Sequence, residues 1–162
     1  MAKKIGIIGV GLLGGALAHR FSNQGWEVIG HDHKATSTEM LTMCDLAAEL
    51  VMQCKTVLLS LPTSDVVSKV INSLGSTITN QHCFIDTTTG KPEEMIEVGE
   101  TLYRLGANYL EANIAGSSVL TKTGNATLFL GGEKGVINSQ EDLLNALTTK
   151  QFHLGPVGSA SK

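Results

Sequence analysis

The sequence predicts one α/β domain with a doubly wound, mostly parallel sheet and helices on both of its faces. Short apolar runs alternate with segments of helical periodicity along the chain, which is the pattern of repeated β-α-β units. The first apolar run enters a glycine-rich turn that opens a helix. With 162 residues, of which 42% are hydrophobic and 17% charged, the chain can bury the core that such a domain needs.

The first β-α-β unit is predicted at the N-terminus. Lys4–Ile8 is an apolar run that enters glycines, as buried parallel strands often do. Leu12–Asn23 carries apolar side chains at helical spacing and is closed by Gly25, so we predict a helix. Trp26–His31 follows at once and is predicted as the second strand.

Two helices and a strand are predicted next. A short helix is expected at about Ser37–Met43, and another over Leu46–Gln53 with Asp45 as its N-cap. Thr56–Leu61 is the clearest internal strand, and it is ended by Pro62, which cannot continue a strand ladder.

The next helices also begin after strand ends. Ser64 or Asp65 opens a helix with an apolar side formed by Val66, Val67, Val70 and Ile71. His82–Asp86 is predicted as a strand. Lys91–Leu105 is predicted as a helix because Pro92 and acidic residues occupy its first turn.

The last part of the chain continues the alternation. We predict strands at Ala107–Ala112, Thr127–Leu130 and Gln151–Leu154, and a helix near Gln140–Leu147. No repeat, low-complexity segment or linker interrupts the pattern, so one domain is predicted over residues 1–162.

The turn after the first strand is a G-x-G-x-x-G pattern. Gly9 allows a tight turn, Gly11 lets the backbone approach a pyrophosphate, and Gly14 lets the helix pack closely on the sheet. The helix start also presents N–H groups to phosphates. A purely structural glycine turn is the alternative, but the position between a strand and a helix favours a Rossmann-type dinucleotide site. The predicted cofactor contacts are Gly9, Val10, Gly11, Leu12, Leu13 and Gly14.

An acidic residue at the end of the second strand binds the ribose hydroxyls of NAD in such domains. Asp32 follows the second predicted strand, and its carboxylate would repel the additional phosphate of NADP. His33 and Lys34 come next and could meet that phosphate. NAD is therefore the expected cofactor, with NADP as a possible one, and His33 is a further candidate contact.

Ligands of open parallel sheets bind beyond the carboxyl ends of the strands. Two such ends carry candidate contacts, which are Leu61, Pro62 and Thr63 after one strand and Thr87, Thr88 and Thr89 after another. The threonine hydroxyls could face a cofactor, but threonine is also an ordinary turn residue. Both interpretations stay open.

Five ordered segments resemble the β-hydroxyacid dehydrogenase family, which includes 3-hydroxyisobutyrate dehydrogenase. They are GIIGVGLLGGALA, LLSLPTSDVV, FIDTTTGKPEEM, LEANIAGSSVLTKTGNATLFLGGE and GPVGSASK. The first is shared by many folds and is also similar to prephenate dehydrogenases. The resemblance implies an NAD(P)-dependent oxidoreductase that acts on a small hydroxy acid and works as a homo-oligomer. It also implies cofactor contacts at Leu61, Pro62, Thr63, Thr88 and Thr89.

The fourth segment resembles a D-A-P-V-S-G-G substrate loop. The substrate contacts that this implies are Ala115, Gly116 and Ser117. The loop departs from the pattern, because Glu111 replaces Asp, Asn113 replaces Pro and Ala115 replaces the serine that binds substrate. An alanine cannot hydrogen-bond a carboxylate, although Ser117 or Ser118 could substitute, so the substrate is not identified.

The last segment resembles the glycine turn before the family's catalytic lysine. An ungapped count places that lysine two residues beyond Lys162, and a gap that made Lys162 catalytic would rotate its side chain by about 200° at a helix start. The catalytic residue is therefore left unassigned, with Lys162 a weak candidate. The resemblance also implies an all-α domain after residue 162, so these residues are expected to be a cofactor domain that is inactive alone.

The leading hypothesis is the NAD-binding domain of a 3-hydroxyacid dehydrogenase. One alternative is a non-catalytic dinucleotide-binding module, which the substitution Ala115 favours. The other is a related reductase of different substrate class, such as an imine reductase or a prephenate dehydrogenase.

Composition argues against several other classes. The net charge of -3 and the pI near 5.9 do not suggest a nucleic-acid surface, and the apolar runs are too short to cross a membrane. Three widely spaced cysteines are expected to be reduced and buried in a cytoplasmic protein. His31 and His33 flank Asp32 without a second cluster of ligands, so no metal site is expected.

Overall fold

The computed structural model describes residues 3–34 and 40–162, and in this part of the chain eight strands form one sheet. The strands are β1 Lys4–Ile8, β2 Glu27–His31, β3 Thr42–Met43, β4 Thr56–Leu59, β5 Cys83–Asp86, β6 Asn108–Ala115, β7 Thr127–Gly131 and β8 Gln151–Gly155. Their order is β3-β2-β1-β4-β5-β6-β7-β8, and all neighbours are parallel except β6 and β7. The predicted mostly parallel sheet is confirmed, and its first six strands have the order of a dinucleotide-binding fold.

Helices cover both faces of the sheet, as predicted. They are α1 Leu12–Asn23, α2 Ala47–Gln53, α3 Ser64–Leu74, α4 Pro92–Arg104, α5 Ser118–Lys122, α6 Lys134–Ser139 and α7 Glu141–Leu147, with a 3-10 turn at Gly75–Thr77. Apolar side chains of α2, α3 and α4 form one buried cluster around Phe84. Those of α1 and α7 form a second cluster around Phe21 on the opposite face. The two clusters make the fold doubly wound.

The helix predicted over Ser37–Met43 is wrong where the structure describes it. Residues 37–39 lie outside the described residues, but Thr42 and Met43 form β3 and pair with β2. A glycine in β2 makes this pairing possible, because a Cβ on Gly30 would lie 2.3 Å from Leu41 Cδ1 and 3.0 Å from Met43 Sδ. The predicted cap on α2 is also wrong: Leu46 occupies the N-cap position and makes no side-chain bond there.

Several boundaries differ from the prediction. β4 ends at Leu59, whereas β6 continues to Ala115, well past its predicted end. Helices α5 and α6 are absent from the prediction because five and six residues are too few to show helical periodicity. The α3 start is confirmed at Ser64, and the cap is Thr63, whose Oγ1 accepts from Val66 N–H.

Three further observations concern the whole described chain. No described helix is long and apolar enough to cross a membrane. Cys54 and Cys83 are buried free thiols, as expected, whereas the free thiol of Cys44 is only half-buried. Burial raises the pKa of Cys54 to about 11 and that of Cys83 to about 12, so neither is a reactive thiolate near neutral pH.

Candidate cofactor-binding site

The glycine-rich turn lies at the point where the strand order reverses, beside the carboxyl ends of β1 and β4. Gly9 N–H donates to His31 O at the end of β2, and Ser60 N–H donates to Ile8 O at the end of β1, each over 2.9 Å. The turn is therefore held by the strands on both sides. Open α/β sheets bind ligands in the crevice outside such a switch point.

The three glycines of the motif have different surroundings. Gly9 has a φ of +96°, and a Cβ there would lie 2.1 Å from Ser60 O. A Cβ on Gly14 would lie 1.9 Å from Gly9 O, so this glycine allows α1 to pack on the turn. A Cβ on Gly11 would meet nothing within 4 Å. Gly9 and Gly14 serve the packing of the chain itself, whereas Gly11 leaves open surface for a ligand.

The start of α1 is suited to an anion. Gly11 occupies the N-cap position without a side-chain hydrogen bond, and the first turn contains no acidic residue. The N–H groups of the first turn therefore have no partner within the helix and face outward from its positive dipole end. Leu12 is exposed beside them, Leu13 is half-buried and Val10 is buried in the turn.

Asp32 is fixed at the edge of the glycine turn. Its Oδ2 accepts from Val10 N–H over 2.6 Å, and its Oδ1 accepts from Lys34 N–H over 2.9 Å. A carboxylate offers about four acceptor positions, so roughly two stay available for hydroxyl donors of a ligand. His33 is exposed next to it, and its ring lies 5.8 Å from that of His31, the last residue of β2.

The ends of β4 and β5 are joined by threonines. Thr87 Oγ1 donates to Leu59 O over 2.8 Å, and Thr88 Oγ1 accepts from Leu61 N–H over 3.0 Å. Both threonines are buried, so their hydroxyls first of all hold the two strand ends together. The residues exposed along this side of the crevice are Pro62, Thr63 and Thr89.

A buried acid that sequence reasoning missed ends β5. Asp86 Oδ2 accepts from Tyr109 Oη over 2.8 Å, and Asp86 Oδ1 accepts from Thr88 N–H over 2.9 Å. Burial raises the pKa of Asp86 to about 6, the charge of Glu111 adds to this effect, and the bonds from Thr88 and Tyr109 oppose it. Burial and the Asp86 charge likewise raise the pKa of Tyr109 well above its usual value. The sequence feature that could have indicated Asp86 is an acidic residue at the end of an apolar strand.

The predicted substrate contacts form the loop between β6 and α5. Ala115 is the last residue of β6 and is exposed, and Gly116 follows with a φ of +142°. Ser117 caps α5, because its Oγ accepts from Leu120 N–H over 3.2 Å. The Ser117 hydroxyl hydrogen stays available to donate to a ligand.

The C-terminal turn folds back onto β6. Glu111 is fully buried and its two carboxylate oxygens accept from Gly158 N–H, over 2.6 Å, and from the Ser161 hydroxyl. Asn113 Nδ2 donates to Ala160 O over 2.8 Å. Lys162 follows this turn with an exposed side chain. Glu111 and Asn113, which sequence reasoning treated only as departures from a motif, thus hold the turn in place.

One other concave feature does not belong to this crevice. A groove of about 470 Å³ between α4 and Pro156–Val157 shares no residue with the glycine-rich turn. Among residues 3–34 and 40–162, no group of three or more His, Cys, Asp or Glu side chains could hold a metal ion.

Comparisons with known proteins identify the family of the chain. Residues 4–155 match the family model described as the NAD binding domain of 6-phosphogluconate dehydrogenase. The cytokine-like nuclear factor N-PAC of Pongo abelii is 25% identical over 175 residues, which cover 99% of this chain and 30% of that protein. The chain thus spans less than a third of that relative.

Solved structures share the fold. A structure of Mycobacterium tuberculosis 3-hydroxyisobutyrate dehydrogenase with L-serine has a TM-score of 0.93 at 22% identity, covering 99% of this chain and 57% of that one. An imine reductase variant from Myxococcus stipitatus in complex with NAD+ has a TM-score of 0.92 at 20% identity, covering 99% of this chain and 58% of that one.

Proposed function

The chain belongs to the family described as the NAD binding domain of 6-phosphogluconate dehydrogenase. From this family membership we propose that the chain binds NAD as the cofactor-binding half of a hydroxyacid dehydrogenase. The observation that carries the proposal is the open surface at Gly11, at the start of α1, with the Asp32 carboxylate fixed beside it. A free helix start and an adjacent acceptor of ribose hydroxyls are what a dinucleotide requires.

The proposed binding mode follows the crevice from β2 to β6. The pyrophosphate lies against the N–H groups at the start of α1, and the adenosine ribose donates to Asp32. The nicotinamide half extends past the ends of β4 and β5, along Pro62 and Thr89. NAD is preferred over NADP, because a 2′-phosphate on the ribose would face the Asp32 carboxylate at short range.

The proposed reaction is hydride transfer between NAD and a small hydroxy acid. The substrate would lie at the loop of Ala115, Gly116 and Ser117, where Ser117 retains a hydroxyl hydrogen to donate. The likeness to a solved 3-hydroxyisobutyrate dehydrogenase supports this substrate class. The acid/base group that moves the hydroxyl proton is not assigned, and Lys162 stays a weak candidate. We propose a homo-oligomer that acts in the cytoplasm on this small substrate, without nucleic-acid or membrane partners.

A second candidate is a dinucleotide-binding module without catalysis. Ala115 favours it, since this side chain cannot hydrogen-bond a substrate carboxylate. It is also supported by the likeness to N-PAC, which is named as a nuclear factor and not as a dehydrogenase.

Calorimetric titration of the 162-residue protein with NAD and NADP tests the cofactor proposal. We expect NAD to bind at least ~10-fold more tightly than NADP, a difference of about 1.4 kcal/mol. Gly11→Ala should weaken NAD binding by at least ~10-fold, because the added methyl group occupies the protein surface that the ligand contacts. The free energy of unfolding should change by less than about 1 kcal/mol. Gly15→Ala is the matched control, since its Cβ also meets nothing within 4 Å but lies one turn into α1.

Two results would contradict the proposal. One is equal loss of NAD affinity in Gly11→Ala and Gly15→Ala, and the other is a preference for NADP in the unaltered protein. A longer form of the protein that reduces NAD with 3-hydroxy acids would support the dehydrogenase. NAD binding without turnover of hydroxy acids in that form would support the non-catalytic module, and turnover of imines alone would support a reductase.

A further inference from the structure

The turn after β8 is held to the sheet by a charged side chain that lies far away in sequence. Glu111 stands on β6, 47 positions before Gly158, and is fully buried. One carboxylate oxygen accepts from Gly158 N–H and the other from the Ser161 hydroxyl. Hydrogen bonds to an ionised acceptor are among the stronger ones in proteins, so this contact fixes both ends of the four-residue segment.

The surrounding backbone leaves room for this carboxylate. A Cβ on Gly131, the β7 residue paired with Glu111, would lie 2.4 Å from Glu111 Oε2. The same Cβ would lie 3.1 Å from Ala160 N and 3.2 Å from Pro156 O. Gly131 therefore allows the carboxylate and the turn to approach each other.

A second side chain of β6 contacts the same segment. Asn113, two residues further along the strand, donates from Nδ2 to Ala160 O over 2.8 Å. Gly158 itself has a φ of +95° and packs on α4, where a Cβ would lie 2.9 Å from Ile96 Cδ1. Three elements thus determine the path of residues 158–161.

We propose that Glu111 and Asn113 form a clamp that fixes residues 158–161, so that Glu111 is a positioning residue for the turn that precedes Lys162. Packing alone does not require a carboxylate at position 111, because an apolar side chain would fill the same space without the free-energy penalty of burying a charge. The carboxylate is matched to two donors of the turn. Its relevance to catalysis rests on the proposed function, whereas the clamp itself does not.

Hydrogen exchange of the 162-residue protein, resolved by amide NMR, tests the clamp. In Glu111→Leu, the Gly158 amide loses its acceptor, so we expect residues 158–161 to exchange at least ~10-fold faster. The Gly158 amide proton, far downfield when bound to a carboxylate, should move upfield. Glu111→Gln should restore most of the protection, because its amide can accept from Gly158 N–H and donate to the Ser161 hydroxyl. NAD affinity should stay within about twofold, as the glycine-rich turn lies on other strands.

Ser161→Ala provides a test that does not alter the core, in case Glu111→Leu fails to fold. It removes one donor of the clamp and should also speed exchange at residues 158–161 while β5, β6 and β7 keep their protection. Unchanged exchange at residues 158–161 in Ser161→Ala would overturn the clamp, and so would unchanged exchange with an unshifted Gly158 amide proton in a folded Glu111→Leu. So would faster exchange spread evenly over β5, β6 and β7, which indicates a general core role. Failure of the unaltered protein to bind NAD would overturn the proposed function and leave the exchange result standing.

Discussion

Asp86 is an acidic residue whose surroundings differ strongly from water. It is fully buried at the end of β5, next to Glu111 on β6, and its pKa is raised to about 6 from an ordinary value of 3.8. The folded protein therefore binds a proton at Asp86 at pH values where the unfolded chain has lost it. The carboxylic acid form is the one that the fold favours.

This pKa predicts how stability changes with pH. Because the folded-state pKa lies above the unfolded one, the stabilising effect of protonated Asp86 is complete below about pH 4 and is lost as the pH rises through about 6. A pKa difference of this size between the folded and unfolded states changes the free energy of unfolding by an amount on the order of 3 kcal/mol. Urea unfolding at pH 4, 5, 6 and 7 should show that the unaltered protein loses stability across this range relative to Asp86→Asn.

The asparagine variant is a matched control for the shape of this site. Its side-chain oxygen can accept from Thr88 N–H, and its NH₂ can donate to the Tyr109 oxygen. If the difference in unfolding free energy between the two proteins is the same at pH 4 and pH 7, the assignment to Asp86 is wrong.

Single residues differ in how well their roles can be predicted from the sequence. Asp32 was predicted from a local rule, the acidic residue after the second strand, and it lies where that rule requires, bonded to Val10 N–H. Glu111 and Asn113 followed no such rule, because their partners lie about 47 residues later and depend on how the chain folds back. Sequence spacing carries information about neighbours along the chain but not about such contacts.

Helix α1 shows how an element depends on two adjacent glycines in opposite ways. A Cβ on Gly14 would lie 1.9 Å from Gly9 O, whereas one on Gly15 would meet nothing within 4 Å. Gly14→Ala should therefore push α1 away from β1 and lower the free energy of unfolding by about 3 kcal/mol. Gly15→Ala should raise it by about 0.5 to 1 kcal/mol, because alanine favours a helix.

Thermal and urea unfolding of the two variants measure this contrast. Gly14→Ala should also weaken NAD binding, since the start of α1 would move with the helix. Equal destabilisation of both variants would show that the close packing of α1 on the turn does not depend on Gly14.

Elements with strong local signals were predicted well, and the others depended on tertiary contacts. The ends of β1 and α1 agree to the residue with the prediction, because an apolar run and a glycine-bounded helical period mark them. β3 could not be predicted, since Thr42 and Met43 form a strand only against Gly30 of β2. The reversal of β7 relative to β6 has no local signal either, because an apolar run of five residues fits both directions.

At the scale of the whole molecule, one edge of the sheet differs from the rest. β8 is the last strand of the order, and no described residue pairs with its outer side. Phe152 and Leu154 on it are 55% and 52% exposed, and the Phe152 ring stacks on Phe129 with centroids 6.0 Å apart. Gln151–Gly155 contains neither lysine nor proline, the residues that commonly protect an edge from pairing with another chain.

This edge predicts concentration-dependent self-association of the 162-residue protein. Phe152→Lys should suppress it, because a charge on an edge strand opposes pairing with a second copy. The variant also loses the aromatic pair with Phe129, which should lower the free energy of unfolding by roughly 0.5 to 1 kcal/mol. Tyr103→Lys is the matched control, since Tyr103 is 78% exposed but lies on helix α4 and not on β8. Sedimentation velocity over a range of concentrations should show association in the unaltered protein and in Tyr103→Lys and a monomer in Phe152→Lys. If Tyr103→Lys is monomeric to the same extent as Phe152→Lys, the self-association involves the helical face and the β8 edge is not its cause.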